Sequence, residues 1–179
     1  MKRICTLFLS LMITFNAISV FAISKTELES NPERYIIISE STDGNGYCDY
    51  SNTKVIANTD TTATIKTKIY QVFNTKQMIT TCDYDFIYNK ERSTKNLTEL
   101  VMSKPEARAM PEYFVNQLKA LDSGVKVHKY NFKVFNFLGK DITPLKLHGY
   151  EKTMTADMRS LDYSIASGLY GVYFNMELF

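Results

Sequence analysis

The sequence predicts an α+β fold: an antiparallel β-sheet of five or more strands, one main packed helix, and one disulfide. Three features lead there. Thr62–Phe73 and Met78–Tyr88 alternate apolar and polar residues with a period of two, the mark of half-buried strands. Glu106–Asp122 instead carries Tyr113-Phe114-Val115, Leu118 and Leu121 at helical spacing, with Pro111 near its first turn and Gly124 just past its end. Beyond the first 22 residues the only cysteines are Cys48 and Cys82, and two cysteines in an exported chain favour a disulfide over two thiols.

Export is read from residues 1–22. Lys2 and Arg3 open the chain, an apolar run from Ile4 to Phe21 follows, and Val20-Phe21-Ala22 closes it. A basic start, a short apolar centre and a small-residue exit make a signal peptide, with cleavage expected between Ala22 and Ile23. A membrane anchor is the rival reading, but Ser10 and Thr14 interrupt a segment already short for a bilayer span of roughly 20 residues. No stable membrane span is expected once the signal is removed. Cys5 lies at the start of the apolar run, where it cannot be a lipid-attachment site.

Without Lys2 and Arg3 the 21 basic residues become 19, against 19 acidic ones that all follow Ala22. A charge near zero with no basic cluster excludes an electrostatic footprint for nucleic acid. The 157 residues after Ala22 suit a single domain, with a β-meander half over 23–104 and a helix-plus-strands half over 105–179. A Cys48–Cys82 bond would close a loop of 35 residues, worth about 3–4 kcal/mol in the chain-entropy model. Metal binding by the same thiols is the alternative. His128 and His148 are the only histidines, however, and nothing is spaced like a ligand pair.

The elements follow in order. Ser24 with Glu27 three residues on can cap a short helix, which Pro32 stops. Tyr35–Glu40 is a compact strand candidate. Asp43-Gly44-Asn45-Gly46 supplies residues that tolerate positive φ and reads as a turn, after which the chain returns as Tyr47-Cys48-Asp49-Tyr50. The polar stretch Ser51–Thr61 reads as a loop leading to the Thr62–Phe73 strand. Asn74-Thr75-Lys76 turns into Met78–Tyr88, where Cys82 shares a face with Tyr84 and Phe86. In the second half Val125–Leu138 reads as a strand whose alternation breaks at Val134-Phe135, suggesting a bulge or the strand's end. Met154–Tyr163 has the pattern of a short helix, and Leu169–Leu178 alternates like a final strand. That ending invites a membrane-barrel reading. Counting back from Phe179, however, Glu177 and Asn175 would face lipid, and a barrel's eight or so alternating segments are missing.

Catalytic chemistry is sparse. No Gly-x-Ser-x-Gly elbow occurs, and no phosphate-cradling glycine loop points to a cofactor. His128 shares a strand face with Tyr130 and Phe132, so it reads as a partly buried, hydrogen-bonded histidine. His148 precedes Gly149 and reads as a turn residue. Asp83 and Asp85 flank Tyr84, and their shared face could pair two carboxylates for acid–base work. The plainer reading puts both on the solvated face of the sheet, opposite Cys82 and Phe86. Asn96-Leu97-Thr98 fits a glycosylation acceptor, which matters only in a eukaryotic secretory pathway.

Tyr47-Cys48-Asp49-Tyr50 after a glycine turn, a long alternating strand, and then Met78-Ile79-Thr80-Thr81-Cys82 together resemble the core of the surface-adhesin protein E family of Gram-negative bacteria, over about residues 34–90. The resemblance implies a small exported antiparallel sheet with a packed helix, acting at the cell envelope and binding host matrix proteins. Cys82 matches the family's strand cysteine. Cys48 stands where an aromatic or aliphatic residue is more usual, and the Trp of many members is replaced by Tyr70 or Phe73.

The function expected is therefore an exported, non-catalytic binding module, adhesin-like, in the periplasm, at the cell surface or secreted. Its partner would be a protein or cell-envelope ligand, with exposed tyrosine-rich strands as the recognition surface. A secreted hydrolase with an unrecognised site, or a protein inhibitor of envelope or host enzymes, is the alternative.

Overall fold

The computed structural model describes residues 23–92, 99–105, 112–113, 116–117 and 122–174. Helix α1 (Lys25–Ser30) is followed by β1 (Tyr35–Ser41), β2 (Gly44–Asp49), β3 (Lys54–Asn58), β4 (Thr62–Phe73), β5 (Met78–Asn89), β6 (Val125–Asn136), β7 (Glu151–Thr155) and helix α2 (Leu161–Phe174). All seven strands form one sheet in the order β1-β2-β4-β5-β6-β7, with β3 also pairing to β4. Every pairing is antiparallel. Among the described residues no helix is long and apolar enough to cross a membrane.

The predicted cap of the first helix is present: the Glu27 amide donates to Ser24 Oγ at 3.1 Å. The Glu27 side chain does not complete the box; it accepts from the Tyr35 hydroxyl at 3.1 Å. The β1–β2 hairpin pairs through Ser41↔Gly44, so its turn is tighter than the four residues expected. Gly44 sits at φ +140°, and a Cβ there would lie 2.5 Å from the Val72 carbonyl oxygen. Only glycine lets β2 approach β4 so closely.

β2 and β3 share one edge of β4. Gly46–Cys48 pair with Ile69–Gln71, and Lys54–Asn58 pair with Ala63–Lys66. The sequence reading made Ser51–Thr61 a loop, but β3 lies within it, missed because its apolar positions are few and largely exposed. Between β2 and β3 the chain leaves the sheet in a single 3-10 turn, Tyr50–Asn52. Asp49, fully buried, makes that break. Its carboxylate accepts from Ser51 Oγ (2.9 Å), Asn52 Nδ2 (2.7 Å) and both Nε and Nη2 of Arg34 (3.3 and 3.1 Å). Such local bonds offer the backbone an alternative to the ladder. Burial alone would raise the Asp49 carboxyl, but the bonds from Arg34, Asn52 and Ser51 outweigh it and hold it below the usual carboxylate range.

The sheet has an apolar layer on each side. On one, Ala63, Ile65 and Ile69 of β4, Phe86 and Tyr88 of β5, and Val125 and Val127 of β6 meet α2. Tyr163, Ile165, Ala166, Leu169 and Tyr170 recur at spacings of three and four, giving α2 one apolar face. Ser160 begins the helix by accepting from the Tyr163 amide at 3.2 Å. The Tyr88 hydroxyl donates to the Ala166 carbonyl at 2.7 Å, and that of Tyr173 to the Thr53 carbonyl at 2.9 Å. On the other side Leu28 of α1 covers a smaller cluster of Tyr35, Tyr47, Tyr70, Val72, Ile79 and Phe135.

Three expectations need correction. The disulfide is absent: Cys48 and Cys82 are buried free thiols. Both pair in register with Ile69, from opposite sides of β4, so they lie two strand spacings apart, about 9–10 Å. A disulfide needs Cα atoms within about 7 Å. Second, the packed helix among the described residues is α2, where alternation predicted a strand over Leu169–Leu178; of the helix expected over Met154–Tyr163, the first two residues end β7 and only the last three, Leu161–Tyr163, are helical, as the start of α2. The helix expected over Glu106–Asp122 lies mostly outside the described residues, though Glu112, Tyr113, Asn116 and Gln117 are helical. Third, of the two readings of the break at Val134-Phe135 the strand's end holds, β6 stopping at Asn136, while the bulge lies earlier, opposite the Thr81–Asp83 step. The signal segment 1–22 and Asn96-Leu97-Thr98 lie outside the described residues.

Candidate functional site

Two side-chain assemblies stand on opposite faces of the same strands. The first is the carboxylate pair singled out in the sequence. Asp83 pairs across β4–β5 with Lys68 and Asp85 with Lys66, and β6 brings Tyr130 opposite Asp83 and His128 opposite Asp85. The two aspartates do face away from Cys82 and Phe86, as expected of a solvated face, yet Asp83 is buried. It bonds Lys68 Nζ at 3.4 Å and accepts from Asn131 Nδ2 at 2.9 Å. Asp85 accepts from the Tyr130 hydroxyl at 3.0 Å. A hydrogen bond with that hydroxyl raises the Lys66 ammonium, whose Nζ lies 5.1 Å from the Tyr130 ring centre.

His128 is partly buried, as the sequence implied, and stacks on Tyr130 at 4.8 Å. Its Nε2 lies 2.8 Å from Glu151 Oε1 and its Nδ1 3.6 Å from Asp85 Oδ2. Both ring nitrogens are engaged by carboxylates, which leaves neither aimed at a nucleophile or a substrate. His148 sits in the turn after Leu145–Leu147, with Gly149 at φ +71°, remote in role from His128. Among the described residues no group of three His, Cys, Asp or Glu side chains is placed to hold a metal ion. On this face each of these charged groups has a partner within the network.

The second assembly lies beneath α2, and sequence reading missed it. Asn131 adopts φ +55°, and the register shift there turns Phe132 off the His128–Tyr130 face onto the α2 side. A bulge often re-aims a side chain in this way. Phe132 meets Tyr150 at 5.7 Å between ring centres, and with Leu147 they wall a cavity of about 380 Å³. Ile69, Cys82 and Tyr84 of β4 and β5 floor it, Leu161, Asp162 and Ile165 of α2 roof it, and Ile38, Gln71 and Thr80 border it. A second, shallower groove of about 300 Å³ continues along α2, sharing Ile38 and Ile165 and reaching Ile36, Tyr50, Gly168, Leu169 and Val172.

The polar groups of the cavity divide into paired and unpaired. Lys129 Nζ and Asp162 Oδ2 are 2.7 Å apart, and the ammonium also lies 4.9 Å from the Tyr84 ring centre. The hydroxyls of Tyr84, Tyr150 and Thr80 have no hydrogen-bond partner among the described residues. No buried polar side-chain atom of the described residues lacks a partner, so these hydroxyls open to the cavity's solvent. Burial, with Asp162 close by, pushes the Tyr84 hydroxyl up, keeping it a neutral donor. The Cys82 thiol is pushed up to about 11 by burial, which makes it a poor nucleophile at neutral pH. A half-open, mostly apolar hollow lined by a few unengaged polar groups has the form of a small-ligand site.

Compared with known proteins, the chain matches no family model, no curated protein and no solved structure.

Proposed function

We propose that this chain is an exported, non-catalytic binding module of the cell envelope or surface, and that it recognises its ligand in the cavity beneath α2. The observation that carries the reading is the set of unpartnered hydroxyls, Tyr84, Tyr150 and Thr80, in an otherwise apolar hollow. The working groups here are hydrogen-bonding and neutral, and the thiol beside them is held protonated by burial. Such a set binds; it does not attack. Export rests on the sequence of residues 1–22, and an adhesin-like role on the resemblance over residues 34–90. The recognition surface moves from exposed strand tyrosines to tyrosines lining a cavity.

The hydrolase alternative would draw on Asp83, Asp85 and His128, and the engagement of those side chains with one another and with Lys68, Tyr130, Asn131 and Glu151 speaks against it. One set of measurements separates the two. The protein recovered from a non-cytoplasmic fraction should begin at Ile23 by intact mass. In its native state it should bind the uncharged apolar dye N-phenyl-1-naphthylamine. Gly168→Leu, which fills the groove, should abolish that binding, while alanine at Asp83, Asp85, His128 or His148 should leave it intact. A native protein that binds no dye, or one that loses dye binding with His128→Ala, contradicts the reading.

A further inference from the structure

We propose that the cavity and the groove beside α2 form one site for a single-chain amphiphile with an uncharged head, such as a monoacylglycerol. The inference rests on the binding-module reading and names its ligand class. The two hollows meet at Ile38 and Ile165, and from Leu161 to Val172 the helix alongside them runs about 16 Å at ~1.5 Å per residue. Their polarity is one-sided. The unpartnered hydroxyls of Tyr84, Tyr150 and Thr80 line the cavity, whereas Ile36, Leu169 and Val172 line the groove, where the half-exposed Tyr50 is the one unpartnered hydroxyl. That asymmetry matches a polar head joined to an apolar tail.

The head's charge follows from the ions present. Lys129 and Asp162 already neutralise each other at 2.7 Å, so neither is available to a carboxylate or an ammonium. A charged head would enter this hollow uncompensated, which is costly. Hydroxyl, ester or amide groups would instead exchange hydrogen bonds with the three free hydroxyls.

Gly168 supplies independent support. It stands in the interior of α2, where glycine weakens a helix, and a Cβ placed on it would meet nothing within 4 Å. Packing does not require glycine there. Its missing side chain keeps the groove open where the tail would lie.

The test is calorimetric titration of the protein as recovered from cells with three probes below their micellar concentrations: monodecanoylglycerol, decanoate and decyltrimethylammonium. The glyceride should bind, and each charged probe should bind at least about tenfold more weakly, reflecting the unpaid charge. Tyr84→Phe, which keeps the cavity's shape, should weaken glyceride binding about fivefold, the worth of one hydrogen bond. Gly168→Leu should abolish it in a protein whose circular dichroism is unchanged. Decanoate binding as tightly as the glyceride would overturn the neutral head. Glyceride binding that survives Gly168→Leu would overturn the site. If none of the three binds, the amphiphile proposal fails; dye binding sensitive to Gly168→Leu would then leave the cavity reading standing, and its absence would remove both.

Discussion

Residues 85 and 86 are neighbours in the chain and belong to different chemical worlds. Asp85 joins Tyr130 and His128 on a face where lysines and carboxylates satisfy one another. Phe86, fully buried, faces α2 on the side where the cavity opens. The polar face looks the more catalytic, yet its charges are already paired with one another. The apolar face looks like plain core and keeps three hydroxyls unengaged. Unsatisfied capacity, not density of polar residues, marks where a molecule can be bound.

The largest expected difference lies in that adjacent pair. Phe86→Ala should cost about 3–5 kcal/mol in chemical denaturation, as a core truncation that leaves a cavity. Asp85→Ala should cost less than about 1 kcal/mol, since partly exposed ion pairs contribute little. Equal costs would break the contrast between the faces.

Asp49 comes next. Asp49→Asn should cost about 1–3 kcal/mol through its hydrogen bonds to charged and polar partners. Its carboxyl is held below its unfolded value, so the stability it contributes is present above the unfolded pKa and is lost as pH falls through the lower, folded one. Below about pH 4 the native protein should therefore lose stability with acid, and Asp49→Asn should flatten that slope. An unchanged slope would show that the carboxylate is not held as described.

The smaller effects probe each face separately. Gly168→Ala should stabilise the ligand-free protein by about 0.5–1 kcal/mol, as expected for replacing a helix-interior glycine with room for a methyl group. Thermal melting reads it directly, and destabilisation would mean that the groove is not open at that point. His128→Ala should shift stability by less than about 1 kcal/mol. A larger loss would mean that the bridge to Glu151 holds β7 on the sheet.

The central strands were legible because their alternation is long and uninterrupted: β4 follows the pattern of Thr62–Phe73, and β5 that of Met78–Tyr88 with one residue added. The short helix at Ser24 was legible from its cap. The C-terminal helix was not. Tyr170, Val172 and Phe174 mimic a strand's alternation, and Gly168 and Gly171 argue against a helix on propensity. The signals that could have found it were Ser160 as a cap and Ile165, Ala166, Leu169 and Tyr170 at helical spacing. The disulfide failed on topology: both cysteines do lie on the α2 side of the sheet, but alternation cannot tell that β4 runs between them. The cavity depends on Asn131 taking a positive φ and turning Phe132 over, a local backbone choice that period-two patterning does not carry.

The most direct test of the claim that the α2 face is the binding face is chemical-shift mapping of the isotope-labelled protein titrated with monodecanoylglycerol. The account predicts saturable shifts centred on Ile38, Cys82, Tyr84, Phe132, Tyr150 and Gly168, with Lys66, Lys68, Asp83 and His128 unmoved. Shifts centred on the latter group, or no saturable shift on either face, would contradict it.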